Sequence, residues 1–147
     1  MTARRLELPS EIYSSIKALC AKGDALAATN AFGAAISEYN QAWAIVPEPK
    51  NNWNTSTWIL AAIADACYLV GYKTSDREAL QFAMTCPDAV GNPFLHMRYG
   101  QVLFDAGELD AAADELMRAY MGGGIEIFRT ENPRYFEFLN SRAELDA

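Results

Sequence analysis

Three small residues, Gly23, Ala35 and Ala42, recur as Gly100, Ala112 and Ala119, each pair 77 residues apart. Self-similarity at a fixed offset is the mark of a repeat architecture. One supersecondary unit recurs there and buries its apolar face on the next copy. A chain built that way is confined to a small set of folds, and the elements between the recurrences decide which.

Those elements read as helices throughout. Pro9-Ser10-Glu11 opens the first, with the Ser10 hydroxyl expected as cap and Glu11 in the first turn. Ile12, Ile16, Leu19 and Leu26 follow at helical spacing. Asn30, which tolerates left-handed backbone, marks a tight turn into a second helix over about 32–45. Pro47-Glu48-Pro49 stops that helix. A third covers about 54–70 and turns at Gly71, and a fourth covers about 75–86. Asn92-Pro93 supplies a cap and a first-position proline for the fifth, which ends at Gly107. The sixth spans about 109–121 before Gly122-Gly123-Gly124, expected as a flexible joint, and a last helix covers about 132–144. Ile125-Glu126-Ile127-Phe128 alternates but is too short and isolated for a strand. The expected fold class is all-α.

Composition narrows the function. The 147 residues fit one domain, taken as 1–147, and carry a formal charge of −7, which makes nucleic acid a poor partner. Residues 105–147 hold ten acidic and four basic residues, so most of the negative charge belongs to the C-terminal third. The longest apolar stretch, 58–70, is shorter than a membrane helix and contains Asp65. Arg4 and Arg5 precede Glu7, Pro9 and Ser10 rather than an apolar run, which reads against a secretory leader. Cys20, Cys67 and Cys86 are odd in number and lack C-x-x-C spacing, so buried thiols in a reducing, cytoplasmic setting are expected.

The residues around the recurring small positions resemble the tetratricopeptide repeat (TPR) family. Residues 16–49 offer Leu19-x2-Lys22-Gly23-x2-Leu26, then Ala35-x3-Tyr39, Ala42 and Pro47. Residues 93–126 offer His96-x2-Tyr99-Gly100-x2-Leu103, then Ala112-x3-Leu116 and Ala119. A middle repeat, about 57–92 with insertions, aligns when Gly71 is matched to Asn30 and Gly107. Leu60, Ile63, Ala64 and Cys67 then fill its core slots. Placing Trp58 in the Trp slot instead would bury Asp65. The resemblance implies a right-handed superhelix of about three helical hairpins with the C-terminal helix as its cap. Lys22 and His96, in slots usually apolar, and Gly124, where proline is expected, depart from the pattern.

Catalytic chemistry finds little support. His96 is the only histidine, and no Ser-His-Asp set, paired carboxylates, phosphate loop or metal-ligand spacing is present. A packing role is expected for His96, with no enzymatic activity and no cofactor.

What remains is surface. In TPR arrays the first helix of each repeat lines a concave binding groove. The resemblance then implies groove positions Lys17, Cys20 and Asp24 in the first repeat. It implies Trp58, Ala61, Asp65 and Tyr68 in the second, and Phe94, Met97, Gln101, Phe104 and Asp105 in the third. Such a groove is aromatic and acidic and suits a basic protein partner. The competing expectation is that Tyr68, Phe94 and Phe104 pack on the next helix. Trp53, in the 47–54 insertion, is either folded back as a plug or held out for contact. The acidic end, 105–147, is a third candidate surface.

Gly91-Asn92-Pro93-Phe94, Arg98-Tyr99-Gly100-Gln101, the run 115–122 and Pro133-Arg134-Tyr135-Phe136 look similar to small bacterial TPR proteins found beside polymorphic toxins of the Rhs and type VI secretion kind. That resemblance implies an immunity protein that binds and neutralises a basic toxin domain. The alternative is a general TPR scaffold or chaperone-like adaptor for an extended peptide or secretion component. Monomer and homodimer both stay open for the free protein.

Overall fold

The computed structural model describes residues 8–143 and is all-α, with seven α-helices and no strand among the described residues. Residues 1–7, which include Arg4, Arg5 and Glu7, lie outside it. So do residues 144–147, including the last position expected in the capping helix. The chain forms two compact units that divide between Ala89 and Val90. No helix among the described residues is long and apolar enough to cross a membrane.

The first unit holds α1 (Ser10–Ala28), α2 (Phe32–Ala44), α3 (Asn54–Val70) and α4 (Lys73–Ala83). The second holds α5 (Pro93–Asp105), α6 (Leu109–Gly123) and α7 (Pro133–Ala143). Helices α1 and α2, α3 and α4, and α5 and α6 pair as hairpins, and α2 also packs on α3.

All three hairpins close with the same turn. Asn30, Gly71 and Gly107 take left-handed backbone, at φ 65°, 89° and 81°. Each following residue, Ala31, Tyr72 and Glu108, donates its N–H to the carbonyl five residues back (Leu26, Cys67 and Leu103), in every case at 2.9 Å. This arrangement satisfies carbonyls that a helix end otherwise leaves bare. The next helix then starts identically, with Ala35, Asp76 and Ala112 bonding back to Ala31, Tyr72 and Glu108, again at 2.9 Å. The turn residues matched on sequence are thus equivalent in backbone geometry.

That register explains the small residues. Seven positions before each turn residue stand Gly23, Ala64 and Gly100, and nine positions after it stand Tyr39, Leu80 and Leu116, all buried. A Cβ on Gly23 would overlap the Cε1 edge of the Tyr39 ring, with Cδ1 only 2.8 Å away. One on Gly100 would sit 2.7 Å from Leu116 Cδ2 and 3.1 Å from the Leu116 backbone nitrogen. Close helix approach therefore requires a vanishing side chain on one helix and a bulky one on the other. The middle hairpin departs in two slots: Ala64 stands where the others carry Gly23 and Gly100, and Asp76, only 1% exposed, where they carry Ala35 and Ala112. Asp65 by contrast is exposed.

Several local expectations need correction. Ser10 makes no capping bond; it is the first helical residue, and the Tyr13 N–H bonds to the Pro9 carbonyl. Helix α6 runs two residues beyond Met121, to Gly123. Gly122 and Gly123 are packed rather than a loose joint. A Cβ on Gly122 would meet Pro93 at 3.2 Å and one on Gly123 would meet Ile127 at 3.1 Å. Gly124 adopts φ 68°, ψ −168°, a conformation open essentially to glycine alone. Ile125–Phe128 forms a 3-10 turn. Beyond it α7 inserts Tyr135 and Leu139 into a core with Met97, Leu116, Ala119 and Phe128. Each such buried large side chain contributes about 1.5–3 kcal/mol of apolar burial.

Candidate functional site

Two of the sequence-expected contact residues of the first unit, Asp24 on α1 and Asp65 on α3, act on the same side chain, Tyr39 of α2. Because Gly23 admits the Tyr39 ring, the Tyr39 hydroxyl reaches Asp24 on α1 and donates to its Oδ1 at 2.7 Å. Burial, this hydrogen bond and the Asp24 charge push the Tyr39 phenol well above its ordinary range, and the Asp65 charge from α3 adds to the effect. Asp24 thus holds the hydroxyl directly, and Asp65 acts on it only through its charge. Trp58 lies seven residues before Asp65, two turns along the same face of α3, and is 38% exposed. Ala61 and Tyr68 extend that stripe and are half-buried. Lys17 sits seven residues before Asp24 on α1, its ammonium 5.6 Å from the Tyr13 ring centre.

Cys20 belongs to the interior instead. Burial first, and the Asp24 charge second, push its thiol up to about 11. Cys67 is raised to about 11 by burial and by Asp76, and burial also raises Cys86. A thiol held protonated in this way is a poor nucleophile at neutral pH.

The second unit corrects most of the groove expected there. Met97 is 3% exposed and lies in the core, so it offers no contact surface. Gln101 is fully buried in a closed triangle. Its Nε2 donates to Glu131 Oε1 at 2.8 Å, while Arg98 Nη1 donates to Gln101 Oε1 and to Glu131 Oε1, both at 2.8 Å. Phe104 stacks edge-to-face on Tyr135 and Phe138, with centroids 5.4 and 4.9 Å away. Asp105 accepts from the Tyr135 hydroxyl at 3.1 Å and from Arg134 Nη2 at 2.9 Å. The physical reason is common to all four. The 125–143 segment lies on the α5 face that a repeat slot would leave open. Phe94 points outward, at 70% exposure, and Asp105, although engaged by Arg134 and Tyr135, is exposed at the end of α5.

His96 is held on both ring nitrogens. The Gly91 N–H donates to Nε2 at 2.8 Å, so Nδ1 carries the hydrogen and donates to Glu115 Oε1 at 2.6 Å. No ring nitrogen is left to bind a metal or relay a proton. Among the described residues no group of three His, Cys, Asp or Glu side chains is placed to hold a metal ion.

Trp53 is folded back: its Nε1 donates to the Pro47 carbonyl at 2.9 Å and the side chain is half-buried. Lys50 fixes the same loop by donating to the Trp43 and Val46 carbonyls at the end of α2, at 2.7 and 2.8 Å. A cation at a helix C-terminus is electrostatically favoured there. A lysine placed just beyond the end of α2 is the one local signal for this anchoring. The Glu131, Asp105 and Glu115 pairings join residues 19–33 positions apart and left no local signal.

No protein-family model matches the chain, and no curated protein matches it either.

Proposed function

We propose that this chain is a TPR-like protein-binding module that holds a basic polypeptide against the acidic, aromatic face of α1 and α3. The observation that carries the reading is the Asp24 carboxylate held on the Tyr39 hydroxyl at 2.7 Å, together with the exposed Asp65 and Trp58 two turns apart on one side of α3. Asp24 is already oriented by a hydrogen bond, so less ordering cost remains for binding. Trp58 supplies a large, stiff apolar anchor, and the carboxylates together with a net charge of −7 steer a cationic partner.

In its most specific form the module is a bacterial immunity protein acting in the cytoplasm, neutralising a basic toxin domain by covering it one to one. The test is co-expression with the adjacent open reading frame. Rescue of an otherwise lethal neighbour, lost with Trp58→Ala or Asp65→Lys, supports the reading. A harmless neighbour, combined with weak binding to many unfolded segments, replaces it with a general adaptor. Failure of both substitutions to weaken any binding removes the α1/α3 face from the proposal.

A further inference from the structure

A second surface of the first unit carries chemistry that the α1/α3 face does not use. A cleft of about 480 Å³ opens among α2, α3 and α4, a volume within the range of side-chain and small-ligand sites. Its floor is aliphatic, from Ile36, Leu60 and Ile63. Leu60, Ile63 and Cys67 lie on the side of α3 opposite Trp58 and Asp65, so the two surfaces are separate. Trp43 and Phe82 wall the cleft with rings edge-to-face at 5.6 Å, and Phe82 is itself exposed.

The rim carries Glu48, Glu78 and Lys50. The Lys50 ammonium is committed inward: it donates to two carbonyls and lies 5.0 Å from the Trp43 ring centre. Glu48 and Glu78 are exposed and, among the described residues, neither is ion-paired. The charge on offer at the mouth is therefore negative, above an apolar floor with aromatic walls. That combination complements a side chain pair in which one member is apolar and the other cationic. A second copy of this chain, at −7, is disfavoured by like-charge repulsion.

We infer that this cleft seats an amphipathic, basic segment of a partner polypeptide. An apolar side chain rests on Ile36, Leu60 and Ile63, and a lysine or arginine lies between Glu48 and Glu78. The inference goes beyond the α1/α3 reading and does not depend on it.

The test uses the full chain, a capped hexapeptide alternating leucine and lysine, and its leucine/glutamate counterpart, followed by amide and indole NMR shifts. The leucine/lysine peptide is expected to shift the Trp43 indole and the amides of Glu78 and of Asn40 and Ser75, which also line the cleft. The double variant Glu48→Gln/Glu78→Gln is expected to weaken its binding about tenfold or more, with an unchanged circular-dichroism melt. Raising ionic strength from about 0.05 to about 0.5 M is expected to weaken it as well. Equal binding of the glutamate peptide, or absence of these shifts at millimolar peptide, overturns the inference in the unmodified chain, whatever the variant does. Tetramethylammonium alone shifting the same signals as strongly reassigns the cleft to a small cation and overturns it too. Shifts confined to Trp58 and Asp65 overturn it while leaving the α1/α3 face standing.

Discussion

The Tyr39 ring occupies the space that a Cβ on Gly23 would need, so α1 and α2 approach as they do only because residue 23 has no side chain. The same relationship recurs between Gly100 and Leu116, where the opposing atoms include a backbone nitrogen. Ring and leucine can shift slightly; backbone cannot shift without moving a helix.

Gly23→Ala is therefore expected to cost about 1–2 kcal/mol, and Gly100→Ala more, because overpacking outweighs the gain of about 1 kcal/mol in helix propensity. Gly33 is the internal control: it lies in α2 with nothing within 4 Å of the point a Cβ would occupy, so Gly33→Ala is expected to stabilise by up to about 1 kcal/mol. Urea denaturation of the three variants checks the order. A stabilised Gly100→Ala would contradict the close approach of α5 and α6 as the reason for a glycine there.

Phe104→Ala and Trp58→Ala are expected to behave differently. Phe104 packs within the second unit on Tyr135 and Phe138, so its loss should cost about 3 kcal/mol or more of stability. Trp58 is partly exposed, so its loss should leave the melting temperature nearly unchanged and weaken partner capture. Thermal melts and partner pull-down on both variants separate the two roles.

His96→Ala strands the Gly91 N–H and deprives Glu115 of its donor, which is expected to cost about 1–3 kcal/mol or more. Glu115→Ala should cost less, since Glu115 is nearer solvent. The double variant should cost clearly less than the sum, because the two residues share one hydrogen bond. A chemical-denaturation double-mutant cycle measures this, and strict additivity would show that the contact is energetically empty.

Stability is expected to fall on the alkaline side. Cys20 and Cys67 are pushed up from 9.0 to about 11, and Tyr39 is raised above its ordinary 10. Between the unfolded and folded values the unfolded chain releases protons that the folded chain keeps. The stabilisation is thus complete below about pH 9 and is lost as pH climbs toward 11 and beyond. Urea midpoints from pH 8 to 11 should decline, and Cys67→Ala should flatten the decline. Asp76→Asn should lower the Cys67 value, read as faster iodoacetamide labelling at fixed pH, because a negative charge beside the thiol is removed.

The hairpin turns and the start of α5 were legible from residue types alone, whereas the cap of α1 and the bounds of α4 and α6 were not. Asn92 caps α5 by accepting from the Phe94 and Leu95 N–H groups, Pro93 follows it, and Asn30, Gly71 and Gly107 take the left-handed turns. Those outcomes depend on backbone conformations that one residue type tolerates and its neighbours do not, so a few adjacent positions suffice to read them. The candidate site was legible only in part: Trp58 and Asp65 share a side of α3 and Asp24 binds the Tyr39 hydroxyl, whereas Met97, Gln101 and Phe104 on α5 are packed or hydrogen-bonded inside the second unit and Asp105 is tied to Arg134 and Tyr135. Folding in three dimensions was needed to reveal which face of α5 is covered, that Asp76 is buried in an alanine slot, that Trp53 turns inward, and that His96 is held between Gly91 and Glu115. Each depends on groups brought together from distant positions or on the packing around a side chain, and helical spacing specifies a face without naming what will lie against it.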